Sequence, residues 1–318
     1  MMKTTGRNNL FITLGVIAAL LALYFVSAYQ SGNPEIPELE RWNGNADEII
    51  IAKTGATIRL YRKEGMWRIN SEGFPADSEG VQRMENKLHD LEITDLTSRR
   101  PHYERFGLTP ENAITVVVKK DGAEVRKIII GNKSTKTSHT FIRVGDRPEV
   151  FKAAGVLRTQ FGKTVEGYRD KNILNITPRN IVSVEINFNN SKYTFIRDNA
   201  VPGKSGNKTA EIGETPAGGK IICLEYRDIE LHEVKMANLM KSFNPLQTQS
   251  FPDVAAGSMG KSLCTVTVKT KKKSVALNFF KGATAYSYYC TSSESPYVFS
   301  VASYTAERYM KEIQDFKR

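Results

Sequence analysis

The chain has 318 residues, 40% of them hydrophobic and 25% charged, and a formal charge of +11. That mixture supplies core for roughly two ordinary domains and excludes a disordered or fibrous protein. A pI near 9.4 points to anionic surroundings such as lipid headgroups, cell-wall polymers or nucleic acid, with a solvated basic surface as the plainer reading.

From the N-terminus, "LFITLGVIAALLALYFVSAY" spans residues 10–29 without a charge. As a helix it is about 30 Å long, the thickness of a bilayer core. Phe11, Leu14, Ile17, Leu21 and Phe25 are its anchoring side chains. Lys3 and Arg7 precede it, and Glu35, Glu38 and Glu40 follow. The positive-inside rule therefore places residues 1–9 in the cytoplasm. The bulk of the chain is then periplasmic or otherwise extracytoplasmic, on a single-pass inner-membrane protein. "VSA" at 26–28 offers a cleavage site, so a removed signal peptide competes with the retained anchor. Either reading exports the remainder and argues against a nucleic-acid partner. Setting aside Lys3 and Arg7 leaves +9 on the exported part. Residues 30–46 read as a stalk.

The next elements come as a set. "EIIIAKTGATIRLYR" (48–62) alternates apolar and polar residues about a central turn, the pattern of a hairpin with one buried face. "SEGVQRMENKLHDL" places Val81, Met84, Leu88 and Leu91 at helical spacing, with Asp77 or Ser78 as the cap. "ITVVVKK" (114–120) and "VRKIII" (125–130) form a strand pair around Asp121-Gly122. "RPEVF" (147–151) precedes the helix-like "KAAGVLRTQF".

The same order then recurs. "SVEINFNNSKYTFIR" (183–197) aligns with 48–62, so that Ile49, Ile51, Ile58 and Leu60 meet Val184, Ile186, Tyr193 and Phe195, and Arg62 meets Arg197. "KMANLMKSF" (235–243) echoes "RMENKLHDL" (83–91), with Val234, Met236, Met240 and Phe243 on its stripe. "CTVTVKT" (264–270), "VALNFF" (275–280), "SPYVF" (295–299) and "SVASYTAERYM" complete the copy. The expectation is an α+β protein: a transmembrane helix, then two tandem repeated domains, each an antiparallel sheet with helices on one face. Repeat one covers 47–162, the connector 163–178, and repeat two 179–318, with a Gly- and Pro-rich insertion at 200–220. Cys264 and Cys290 replace Ile114 and Ile142 of the first copy. They read as buried thiols, about 9.6 Å apart across two strand spacings and too far for a bridge.

Catalytic motifs are weak. "AAGSMGKS" (255–262) resembles a phosphate-binding loop but runs into a strand, where a working loop opens a helix. His89, His102, His139 and His232 form no ligand spacing, and the carboxylates are scattered. No catalytic residue, cofactor or metal is expected. Two surface features remain. "KTKKK" puts Lys269, Lys271, Lys272 and Lys273 at a hairpin tip, as a polyanion contact or a merely solvated turn. "YERFGLTPE" (103–111) offers Tyr103, Phe106 and Leu108 as a docking loop, or as side chains that fold back on the core.

Four phrases in order carry a family resemblance: Ala76-Asp77 before the helix, Phe106-Gly107-Leu108 before the next strand, Ile130-Gly131 closing the strand pair, and Arg169-Asp170-Lys171 in the connector. Over about 74–175 the chain resembles a bacterial family catalogued as a domain of unknown function, number 4340. Phe106 departs conservatively from the family's usual Tyr. The resemblance implies a membrane-anchored envelope protein, often encoded beside ABC transporter components of the gliding-motility auxiliary type, and carries over no catalytic residue. The expected function is that of a non-enzymatic accessory or scaffold protein bound to protein partners in such a complex. A module for an anionic glycan, cell-wall polymer or lipid is the second reading, and a hydrolase with an unrecognised site the third.

Overall fold

The computed structural model describes residues 17, 20–22, 36–135, 138–197 and 219–318. Of the expected anchor, Phe11, Leu14 and Phe25 lie outside the described residues, as do 200–218 of the insertion. Ile17 and Leu20–Leu21 are helical and exposed. No helix among the described residues is long and apolar enough to cross a membrane.

The chain divides into two compact units, the first ending at Arg169 and the second running Asp170–Arg318. It is a mixed α+β fold dominated by antiparallel sheets. Unit one contains β1 (Glu48–Lys53), β2 (Ala56–Lys63), β3 (Met66–Ile69), β4 (Phe74–Pro75), α1 (Ser78–His89), β5 (Ile93–Ser98), α2 (Tyr103–Phe106), β6 (Ile114–Lys120), β7 (Ala123–Lys133), β8 (His139–Val144), β9 (Val150–Ala154), α3 (Leu157–Phe161) and α4 (Val165–Tyr168). Its nine strands follow the order β4-β3-β2-β1-β6-β7-β8-β9-β5. Unit two contains β10 (Asn172–Leu174), β11 (Ile181–Phe188), β12 (Ser191–Arg197), β13 (Ile221–Cys223), α5 (Glu233–Lys241), β14 (Leu246–Gln247), β15 (Cys264–Thr270), β16 (Ser274–Lys281), β17 (Ser287–Ser292), β18 (Ser295–Ala302) and α6 (Ser303–Ala306). Its main sheet runs β13-β12-β11-β15-β16-β17-β18, and β10 pairs with β14.

The hairpins form where alternation and turn chemistry agree. Asn189 and Asn190, with φ of 51° and 61°, make the two-residue turn of β11–β12, and Asp121 and Gly122, at 51° and 78°, that of β6–β7. Two positive φ values in succession suit the twist of an antiparallel pair. The alternating residues Ile49, Ile51, Ile58 and Leu60 of unit one, and Val184, Ile186, Tyr193 and Phe195 of unit two, are all buried. On α1, Val81, Met84 and Leu88 are buried, and the Asp77 carboxylate caps the helix by accepting from the Gly80 N–H at 2.9 Å.

Several expectations are corrected. The helix-like stretches after "RPEVF" and "SPYVF" are strand for longer than expected: β9 continues to Ala154 and β18 to Ala302, leaving the short α3 and α6. In β7 the expected match of 125–130 with 275–280 slips by one residue. Val118 pairs with Arg126 but Lys119 with Glu124, so Val125 is bulged. In unit two Val268 and Lys269 pair with Val275 and Ser274 without a gap. A one-residue slip reverses the faces, so Arg126, Ile128 and Ile130 occupy the places of Val275, Leu277 and Phe279. Val234 is 61% exposed, and Leu239 replaces it on the buried stripe of α5. The expected stalk is partly core: Leu39 packs against unit one, and Trp42 and Ala46 are buried in it. The connector is divided, with Tyr168 in the core of unit one and Ile173, Leu174 and Ile176 in that of unit two.

Helices do not all lie on one face. Ile128 and Ile130 point into the main core of unit one with the side chains of α1, α3 and α4. Ile129 lies between them on β7 and therefore points to the opposite face. There it packs with Phe106 of α2, Leu108, Ala113 and Val150 in a second small core.

Candidate functional site

The loop 103–111 is spent on that second core. Phe106 and Leu108 are buried, so the docking reading fails for them, and Tyr103 is only half-buried. The Tyr103 hydroxyl donates to the Pro148 carbonyl at 3.1 Å, and the Arg143 guanidinium stacks 4.4 Å from its ring centre. Gly107 caps α2 at φ 66°, and a Cβ there would meet the Asn132 side chain at 2.4 Å. Gly131 sits under the same turn: a Cβ would lie 2.3 Å from the Phe106 carbonyl oxygen. The second and third phrases of the resemblance are thus two sides of one backbone contact.

The first and fourth phrases also meet. Ala76 forms an isolated bridge with Arg169, and the Asp77 N–H donates to the Tyr168 carbonyl at 2.9 Å. The Arg169 guanidinium lies 4.1 Å from the ring centre of Phe74. These residues fasten the start of α1 to the end of unit one.

A buried polar knot lies nearby in the same unit. Glu85 on α1 is 3% exposed. One of its oxygens accepts from the Ala46 N–H at 2.5 Å, and the other lies 3.2 Å from Arg62 Nη2 and 3.2 Å from Gln82 Nε2. Arg62 also donates to the Ala46 carbonyl and lies over the Trp67 ring. The sequence alignment with Arg197 identifies Arg62, but nothing local to Glu85 distinguishes it from an exposed helical glutamate. Arg197 likewise donates to a carbonyl just ahead of its sheet, that of Pro178.

At the β15–β16 tip, Thr270 Oγ1 accepts from the N–H groups of Lys272 and Lys273 and organises the turn. Lys269, Lys271, Lys272 and Lys273 are all exposed, but Lys273 forms an ion pair with Glu294 at 2.7 Å. One of the four charges is already answered within the fold.

Cys223, Cys264 and Cys290 are free and buried. β15 and β17 flank β16, which separates Cys264 from Cys290. Burial pushes the Cys223 thiol up to about 11 and the Cys264 thiol up to about 12, and raises that of Cys290 further. These are packing thiols rather than nucleophiles. Among the described residues no group of three or more His, Cys, Asp or Glu side chains is arranged to hold a metal ion.

Residues 67–261 match the sequence profile of the family described as Domain of unknown function (DUF4340). The chain belongs to that family. The match begins within unit one and continues well into unit two, past the point near residue 175 where the motif resemblance fades. No curated protein and no solved structure matches the chain.

Proposed function

We propose that this DUF4340 protein is a membrane-anchored, extracytoplasmic accessory or scaffold subunit of an ABC-transporter-type envelope complex, with no chemistry of its own. The observation that carries the reading is how the recurrent phrases are used. Gly107 and Gly131 provide a close backbone contact, and Ala76-Asp77 and Arg169 fasten a helix to the end of a sheet unit. Residues that define a family by packing rather than by convergent reactive groups suit a protein whose product is a shaped surface. The uncharged run 10–29 supplies the anchor, with residues 1–9 inside.

The two units are, in this reading, copies of one module. The run β2-β1-β6-β7-β8-β9 in unit one has the same order as β12-β11-β15-β16-β17-β18 in unit two. Buried residues occupy the same stations in both runs. A duplicated module gives one chain two related surfaces for holding partners.

The test is crosslinking in native membranes followed by mass spectrometry of what co-purifies. Reproducible recovery of a transporter permease, lost when 10–29 is replaced by a cleavable signal, supports the proposal. Recovery of the protein alone, or with polymer only, overturns it. The second reading, an anionic-polymer or lipid module, draws on the exposed Lys269, Lys271 and Lys272. It predicts binding that weakens steeply with salt.

A further inference from the structure

In unit two a cleft of about 430 Å³ opens between α5 and the C-terminal segment after α6. Its volume lies within the range of small-molecule sites. Four cationic side chains line it, Lys235 and Lys241 from α5 and Arg308 and Lys311 from the C-terminal segment, against one carboxylate, Asp315. Leu239 and Phe316 give it an apolar wall.

The cations are not equally available. Lys235 Nζ donates to the Asp315 carbonyl at 2.8 Å and so helps to hold the cleft together. Asp315 is engaged as well, its carboxylate accepting from the Glu312 N–H at 3.0 Å. Lys241, Arg308 and Lys311 form no ion pair among the described residues, although ion pairs occur elsewhere in both units. Lys241 and Arg308 each have a structural use: a cation in the last turn of a helix offsets the carbonyl end of its dipole, and the Arg308 guanidinium lies 5.7 Å from the Tyr304 ring centre. Neither use extends to Lys311, and the exposed Tyr304 ring leaves the Arg308 charge without a carboxylate partner among the described residues. Three like charges around one concavity repel one another, and an anion between them relieves that repulsion.

We propose that this cleft binds a phosphomonoester-type group, with its oxygens among Lys241, Arg308 and Lys311 and any apolar part of its carrier against Leu239 and Phe316. The charge count selects the class. A carboxylate brings one negative charge, whereas a phosphate monoester carries about −1.5 to −2 at pH 7 and three acceptor oxygens. Arg308 supplies a planar fork for two of those oxygens, and the lysines add point charges. The site stands independently of the accessory-subunit reading and separately from the β15–β16 lysine tip. Sequence inspection misses it because its cations come from stretches nearly seventy residues apart.

The test is calorimetric titration of the full chain, held in non-ionic detergent micelles, with three probes: inorganic phosphate, short-chain phosphatidic acid and acetate. Saturable binding of phosphate or phosphatidic acid, with acetate at least about tenfold weaker, is expected. The charge-reversal pair Arg308→Glu/Lys311→Glu, at exposed positions, should weaken phosphate binding at least about tenfold. Lys261→Glu/Lys281→Glu makes the same change in net charge away from the cleft and should shift it by less than about twofold. Circular dichroism melting checks that both variants fold. Phosphatidic acid binding about tenfold tighter than phosphate assigns a lipid headgroup; equal affinity assigns a free phosphate group. Absence of saturable binding, acetate binding as tightly as phosphate, or equal weakening by the two double variants overturns the proposal. Loss of phosphate binding with permease crosslinking retained would leave the accessory reading untouched.

Discussion

Replacing Glu85, a 3% exposed carboxylate, by Ala should strongly destabilise unit one. The substitution leaves the Ala46 N–H without its 2.5 Å acceptor and removes the carboxylate partner of Arg62. An unsatisfied buried donor costs about 1–3 kcal/mol, and breaking a buried ion pair about 3–5 kcal/mol. The two overlap, because both describe the same carboxylate. The Arg62 side chain is 23% exposed and keeps Gln82, the Ala46 carbonyl and the Trp67 face, so water recovers part of the loss. The net expectation is about 2–4 kcal/mol. Both tryptophans of the chain, Trp42 and Trp67, are buried in this unit, so urea unfolding followed by tryptophan fluorescence reports on it selectively. With a slope of about 2 kcal/mol per molar, the midpoint should fall by about 1–2 M. Arg62→Met/Glu85→Leu should recover part of the loss, because an apolar pair can replace a buried ion pair. A midpoint within about 0.3 M of wild type for Glu85→Ala, or a loss in Arg62→Met/Glu85→Leu equal to the sum of the losses in Arg62→Met and Glu85→Leu, would refute the assignment of a coupled buried knot.

Other consequences are read by simpler assays. Gly131→Ala forces a Cβ against the Phe106 carbonyl at 2.3 Å and should cost about 1–3 kcal/mol in the same unfolding assay, whereas Gly257→Ala in unit two, with nothing within 4 Å, should leave the thermal midpoint by circular dichroism near that of wild type. Iodoacetamide at pH 8 should leave all three native thiols unmodified over the time in which urea-unfolded protein reacts at three sites. A rise from 9.0 to about 11 at Cys223 alone cuts its thiolate about 100-fold, and burial blocks access besides. On α5, Met236→Ala should cost about 2–5 kcal/mol and Val234→Lys less than about 0.5 kcal/mol, read as thermal midpoints by circular dichroism.

The elements readable in the sequence are those whose pattern is local. The hairpins β1–β2 and β11–β12 announce themselves by alternation, α1 by its stripe and Asp77 cap, and Cys264 and Cys290 by their apolar counterparts. What escapes depends on distant partners. β5, "ITDLTS", is two-thirds polar and becomes strand only because β9 accepts it at the sheet edge. The bulge at Val125 leaves no local mark, yet it moves every later residue of β7 to the other face. Trp42 looks like stalk because its packing partners, Arg126 and His89, lie far along the chain. The phosphate cleft fails for the same reason, since charge convergence is a tertiary property.

The proposed role requires the bulk of the chain to lie outside the membrane, and the protein carries its own means of testing this. Its native thiols are buried, so Lys272→Cys places the one exposed thiol among the described residues on the β15–β16 turn. A membrane-impermeant maleimide applied to intact spheroplasts should label this variant fully without permeabilisation. The labelled protein should remain with the membranes after an alkaline carbonate wash. Labelling only after the membrane is opened, or release by the wash, would contradict the anchored extracytoplasmic assignment.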